Sequence, residues 1–301
     1  MTRNHNERLA TAREVLDGLS VGDALGEAFS YQHYRVREIT DFSFYRDGSV
    51  IYTDDTEMAL GIYDILSLMK GIDEDTVAWA FTARFRRDPD RGYGKMARRI
   101  LNELADGSGW RDVSPKAFGG GSFGNGAAMR AGPLGGYYAD DLPELVQAAA
   151  KSARVTHFHP EGIAGAIAVA AATAAAYNAR GETEPEAVER VWQTVLDLTP
   201  EGEVRRKVRL AREMKDATAD TVARELGCGY EISAQDTVPF CLWNACRNLG
   251  DYKEAILSTV EVGGDCDTNA AIVGSLAAAY SGAASIPSEW LRIRETLKFK
   301  V

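Results

Sequence analysis

Two short acidic segments carry the side chains best suited to chemistry. Thr53-Asp54-Asp55-Thr56 precedes an apolar stripe that begins at Met58, and Gly263-Gly264-Asp265-Cys266-Asp267-Thr268 precedes a second apolar segment. Each reads as a loop entering a helix, where one Asp or Thr is enough to cap and Asp also suits the helix dipole. Capping explains either segment alone. Together they bring four carboxylates and several hydroxyls. If the segments meet in space, like charges 4 Å apart repel by about 4 kcal/mol at an effective dielectric of 20, and such a cluster requires cations. The donors are hard oxygens, with no thiolate or imidazole needed, so the expected ions are Mg²⁺, Mn²⁺ or Ca²⁺ rather than zinc. Four carboxylates would balance two divalent ions. The Asp265-x-Asp267 pair is not a calcium-loop motif: counted from Asp265, position 6 is Ala270 rather than Gly and position 12 is Leu276 rather than Glu. Cys266, between the two aspartates, reads as a small buried filler.

A glycine-rich run, Gly121-Ser122-Phe123-Gly124-Asn125-Gly126, is the second ingredient. Backbone N–H groups of such a loop can cradle phosphate, and a plain tight turn is the equal alternative. The run is neither a Walker A loop nor a dinucleotide fingerprint, since no Lys-Ser/Thr follows and no strand precedes it. Phe123 either stacks on a base or anchors the loop in the core. His157, in Thr156-His157-Phe158-His159-Pro160, suits a hydrogen-bonding contact to a ligand or a capped helix start, and an isolated His-x-His does not suffice for zinc. Asp23 and Glu27 lie four apart and share a face if that stretch is helical, among small residues that favour close packing. That face is either solvated or aims Glu27 at the acidic cluster as a ligand or a base for water.

Helices must position these groups. Met58, Ile62, Ile65, Leu66 and Met69 form one stripe; Val188, Val191, Val195 and Leu198 another; Leu142, Leu145, Val146 and Ala149 a third, opened by Pro143. Residues 240–249, 252–260, 268–284 and 288–297 also predict helices, and the Ala-rich 162–177 predicts a buried helix too short to span a bilayer. Only residues 50–52 suggest a strand. Without a βαβ rhythm, internal repeat or linker, the expectation is one all-α domain over residues 1–301. With 34 basic against 44 acidic residues, the net charge of −10 makes duplex nucleic acid a poor partner. Four cysteines without a C-x-x-C pair read as reduced thiols, and residues 1–9 lack the apolar core of a signal peptide, so a cytoplasmic protein without a membrane partner is expected.

Six ordered motifs resemble those of the ADP-ribosylglycohydrolases: Gly22-Asp23-Ala24-Leu25-Gly26, Tyr52-Thr53-Asp54-Asp55-Thr56, Asp88-Pro89-Asp90-Arg91-Gly92-Tyr93-Gly94, the glycine loop continued through Ala127-Ala128-Met129-Arg130, Thr156-His157, and Gly264-Asp265-Cys266-Asp267-Thr268. The chain is most similar to the branch with the serine-specific ADP-ribosyl-acceptor hydrolases, and also to the dinitrogenase-reductase-activating glycohydrolases. The resemblance spans residues 18–287. It implies a compact orthogonal all-α bundle with a binuclear Mg²⁺ or Mn²⁺ centre, its ligands matching Thr53, Asp54, Asp55, Asp265, Asp267 and Thr268. It places Gly94, Gly121, Ser122, Phe123, Gly124, Asn125, Gly126 and His157 around ADP-ribose, with Cys228-Gly229-Tyr230, hence Gly229 and Tyr230, at the adenosine end. The chain departs from the family pattern in two places: the family glutamate four residues after the last Gly of Gly-Asp-x-x-Gly is Ser30 here, and the glycine loop is a residue shorter than in the animal relatives.

The expected activity is therefore metal-dependent hydrolysis of the bond between ADP-ribose and an acceptor, with Glu27 or Asp55 as the catalytic carboxylate. Ser30 keeps a non-catalytic ADP-ribose reader as the alternative. A Mn²⁺-dependent glycosyltransferase would also use Asp-x-Asp, but its usual α/β fold needs alternating strands that this sequence lacks.

Overall fold

Residues 3–30 and 49–299, those that the computed structural model describes, are mostly helical and contain no β-strand. In order the helices are α1 (His5–Phe29), α2 (Asp54–Met69), α3 (Glu74–Arg87), α4 (Lys95–Ala105), α5 (Trp110–Val113), α6 (Gly132–Tyr137) and α7 (Leu142–Arg154). The second half holds α8 (Pro160–Asn178), α9 (Glu184–Leu198), α10 (Glu203–Glu213), α11 (Ala219–Leu226), α12 (Ala234–Arg247), α13 (Tyr252–Val262), α14 (Cys266–Ser281) and α15 (Ser288–Ile293). The main hydrophobic core runs from Ala12 to Leu297, beside a small second cluster of Ile100, Val113 and Ala117.

Local rules explain many helix ends. Asn4 and Glu7 form a capping box on α1, Asp73 caps α3 through the N–H groups of Asp75 and Thr76, and Asp251 caps α13 through Glu254. α14 stops at Gly282, whose φ of +78° favours glycine. The Ala-rich α8 is buried from Ala164 through Ala176, and its small side chains let α6, α7, α9 and α14 pack around it.

The decisive packing is α1 against α14. Gly18, Gly22 and Gly26 recur every four residues on one face of α1. A methyl group there would stand 2.4 Å from Gly274 O, 2.1 Å from Ala270 O and 2.3 Å from Cys266 O respectively. The two backbones touch, so the N-terminal end of α14 is fixed beside the C-terminal end of α1.

Several sequence expectations hold, with shifted ends. The stripes from Met58, Leu142 and Val188 lie on α2, α7 and α9, although Met69 is exposed. The 240–249 helix starts earlier, at Ala234, and runs through Pro239. The 268–284 helix is Cys266–Ser281, and 288–297 shortens to Ser288–Ile293. The suggested strand at 50–52 is only an isolated bridge from Val50 to Arg294. One bonded neighbour is too little to make a strand.

Candidate functional site

Asp23 gathers the first acidic segment. It is fully buried on α1 and accepts the N–H groups of Thr53 and Thr56, each at 3.0 Å, and both their hydroxyls. The solvated face considered for Asp23 is therefore replaced by a buried clamp on the first turn of α2. Since α1 also abuts α14, a single helix joins segments more than two hundred residues apart. Asp54, Asp55, Asp265, Asp267 and Thr268 line one cleft of about 580 Å³.

The electrostatics follow from this crowding. Burial, and then the charges of Asp267 and Asp23, push Asp54 and Asp55 well above the ordinary carboxylate range. Burial and Asp267 raise Asp23 to about 7, against the donors of Thr56 and Thr53. Asp265 is raised to about 7 by burial and Asp267. The hydroxyl of Thr53 stands 2.9 Å from Asp23 Oδ1 and 3.1 Å from Asp55 Oδ2. One proton cannot serve two ionised carboxylates, so this pair is satisfied only when a carboxyl holds a proton or a cation is near.

The donor set fits divalent cations. Asp55 Oδ1 is buried with no hydrogen-bond partner among the described residues, an acceptor aimed at no donor. The remaining donors are carboxylate and hydroxyl oxygens, the chemistry of Mg²⁺ or Mn²⁺. Among the described residues no three Asp, Glu, His or Cys side chains are already drawn into a finished cage. The Thr53 hydroxyl and the Asn125 amide engage Asp55 Oδ2 and Asp265 Oδ2.

The glycine loop forms the adjoining wall. Ser122, Phe123, Gly124, Asn125 and Gly126 line the cleft with Gly92, Gly94, Met129 and His157. The loop is tied at both ends: Asn125 N donates to Ile232 O at 3.2 Å, Ala234 N to Phe123 O at 2.9 Å, and His159 N to Ser122 O at 3.3 Å. Asn125 Nδ2 also donates to Asp265 Oδ2 at 2.6 Å, joining the loop to the second acidic segment. Among the described residues the amides of Ser122 and Phe123 have no acceptor, leaving two N–H donors free for an anion. Phe123 is 42% exposed and lines the cleft, so it is not a core anchor.

Other expected residues sit behind or beside the lining. Gly121 has φ +92°, and a methyl group there would meet His159 N at 2.4 Å; its glycine serves the approach of the loop to residues 158–159. Gly229, at φ +95°, lies against Asp265, where a methyl group would come within 2.5 Å of its Cβ. Tyr230 is 74% exposed, outside the lining. Thr53 is held behind Asp55. Glu27 is an exposed residue in the last turn of α1, outside the lining, yet burial of its carboxyl and Asp267 raise its pKa. Ser30 caps α1 and its hydroxyl donates to Gly26 O at 2.9 Å.

Sequence reasoning passed over four contributors. Arg91 donates to Tyr52 O at 3.0 Å and pairs with Asp88 and Glu295, locking residues 88–94 beside Asp54. Arg130 is fully buried behind His157. Phe118 and Ile232 line the cleft while 68% and 61% exposed, at φ +51° and +52°. Arg91 and Arg130 stand inside quoted motifs, but nothing local marks an arginine as buried.

The chain is similar to known proteins over nearly its whole length. The family described as ADP-ribosylglycohydrolase matches residues 4–298. The ADP-ribosylhydrolase ARH3 of Xenopus tropicalis is 30% identical, covering 92% of this chain and 89% of the relative. An uncharacterized protein of Archaeoglobus fulgidus is 32% identical over 93% of this chain and 90% of its own length. The ADP-ribosylarginine hydrolase Tri1 of Pseudomonas putida is 27% identical, over 96% and 76% respectively. A solved structure, an ADP-ribosylglycohydrolase-related protein complex, shares the fold with a TM-score of 0.63 at 24% identity, covering 96% of this chain and 94% of that one. With its acidic segments and glycine loop gathered around one cleft and the match running almost end to end, the chain belongs to the ADP-ribosylglycohydrolase family.

Proposed function

We propose that this hydrolase releases ADP-ribose from an ADP-ribosylated acceptor in the cleft, using two Mg²⁺ or Mn²⁺ ions. The observation that carries the reading is the meeting of Asp54, Asp55, Asp265 and Asp267 beside a glycine loop with free amides. The printed names of the relatives, an ADP-ribosylhydrolase and an ADP-ribosylarginine hydrolase, support the ADP-ribosyl bond as the target.

Thr53, Asp54, Asp55, Asp265, Asp267 and Thr268 would hold the cations. When bound, the ions supply the positive charge that steadies ribose hydroxyls and water beside the scissile bond. The amides of Ser122 and Phe123 orient the diphosphate, and Phe123 offers an aromatic face to ribose or base. In the reaction the C1″–acceptor bond breaks, water provides the hydroxyl that joins C1″, and the water's other proton ends on the departing acceptor. Asp55 or Glu27 moves that proton. Glu27 is favoured as the acid, since Asp55 is committed to the cations, while burial and the charge of Asp267 raise the Glu27 pKa and keep a proton on it further up the pH scale.

The test is ADP-ribose release from a panel of ADP-ribosylated serine, arginine and nucleobase acceptors. Asp54→Ala and Asp267→Ala should each lower turnover by at least about a hundredfold, and EDTA should abolish it. Full activity in either variant or in EDTA contradicts the reading. Ser30, bonded to Gly26 O, and Glu27, outside the lining, favour one rival: tight ADP-ribose binding with no product from any acceptor would make the protein a reader.

A further inference from the structure

Arg130 is fully buried and, among the described residues, is hydrogen-bonded by neutral groups rather than by a carboxylate. Its Nη1 donates to Gly126 O at 2.7 Å, and its Nη2 donates to Ser152 O and Thr156 Oγ1, each at 2.9 Å. The Thr156 hydroxyl, also fully buried, stands 2.7 Å from His157 Nδ1.

Counting protons fixes the direction of this chain. A guanidinium only donates, so Thr156 Oγ1 accepts from Arg130 and keeps one proton to give. His157 Nδ1 is the acceptor the structure offers it. If Nδ1–H donated instead, the threonine proton would be buried without an acceptor among the described residues, a loss that folded proteins seldom carry. The imidazole is neutral, because burial and then the charge of Arg130 hold its pKa at about 3. Its one N–H must therefore sit on Nε2. That atom presses on the glycine loop: methyl groups at Gly124 and Gly126 would approach it to 3.2 Å and 3.0 Å. His157 lines the cleft, and Nε2 has no acceptor among the described residues.

We propose that Arg130, acting through Thr156, is a positioning residue that fixes His157 as the Nε2–H tautomer, so the glycine-loop wall presents a neutral N–H donor to an oxygen of the bound nucleotide-sugar. The same guanidinium holds Gly126 O, so one group sets both the loop and the direction of the histidine's hydrogen bond. The ligand half of this proposal rests on the ADP-ribose reading; the tautomer half does not.

The experiment labels the four histidines of the full chain with ¹⁵N and assigns His157 by His157→Gln. In the ligand-free protein Nε2 should be protonated and Nδ1 bare from pH 5 to 8. Thr156→Ser should keep that pattern and the Kd for ADP-ribose. Thr156→Val should move His157 toward a tautomer mixture and raise the Kd for ADP-ribose about tenfold, the scale of one directed hydrogen bond. Arg130→Lys, which keeps the charge but loses the fork, should shift the tautomer in the same direction and serves if Thr156→Val does not fold. A wild-type Nδ1–H signal, or an unchanged tautomer in both Thr156→Val and Arg130→Lys, overturns the proposal. Absence of turnover with every acceptor would count against the hydrolase reading while leaving the tautomer result in place.

Discussion

The floor and the rim of the cleft are built on opposite terms. The floor is over-determined. α1 touches α14 backbone to backbone through Gly22 and Gly26, and Asp23 clamps the start of α2 with hydrogen bonds from two residues. The rim is sparse. Phe118, Ile232 and Tyr230 expose more than half of their surface, and the first two hold a left-handed backbone that L-residues avoid. The floor needs carboxylates fixed against their mutual repulsion, which only dense packing can do. The rim needs apolar surface left uncovered for a ligand, at some cost in local stability.

The largest effect is expected on the floor. Gly26→Ala places a methyl group 2.3 Å from Cys266 O and 2.6 Å from Asp267 Cα, and no side-chain rotation can relieve either contact. It should destabilise the protein by roughly 4 kcal/mol or more and abolish turnover. Gly71→Ala, where a methyl group meets nothing within 4 Å, is the matched control and should melt like the wild type. Equal melting of the two variants, measured by calorimetry, would show that the helix contact is not decisive.

The rim should respond in the other sense. Phe118→Gly and Ile232→Gly relieve a positive φ worth about 1–2 kcal/mol and add about 0.5–1 kcal/mol of chain entropy, so melting should hold or rise. Affinity for ADP-ribose should fall roughly three- to tenfold through lost apolar contact. Lower melting with unchanged affinity would reverse the contrast between rim and floor.

The same contrast explains what could be read before the structure. Paired aspartates and clustered glycines are conspicuous in an apolar helical background, so the acidic segments, the glycine loop and the small-residue face of α1 stood out. The rim and the buried arginines did not. Phe118 and Ile232 are ordinary apolar residues whose exposure depends on loops folding outward, and Arg130 is buried only because residues 126, 152 and 156 converge on it. Helix α10 announces itself weakly, since Val204, Val208 and Ala211 are its only buried positions among many charges. Pro239 hid the first turns of α12, where proline usually marks a boundary.

The central claim is that the four aspartates of the floor serve divalent cations, and calorimetric titration with Mn²⁺ tests it most directly. Asp265 and Asp23, raised to about 7, are largely protonated at pH 5.5 and largely ionised by pH 8. A raised carboxyl stabilises the cation-free fold at low pH, and that contribution is lost as pH rises through about 7. Cation binding should therefore tighten from pH 5.5 to 8, release protons near neutrality and restore melting temperature most at pH 8. The account predicts two Mn²⁺ per chain at pH 8, with Asp267→Asn removing at least one; no binding, or binding untouched by Asp267→Asn, would contradict it.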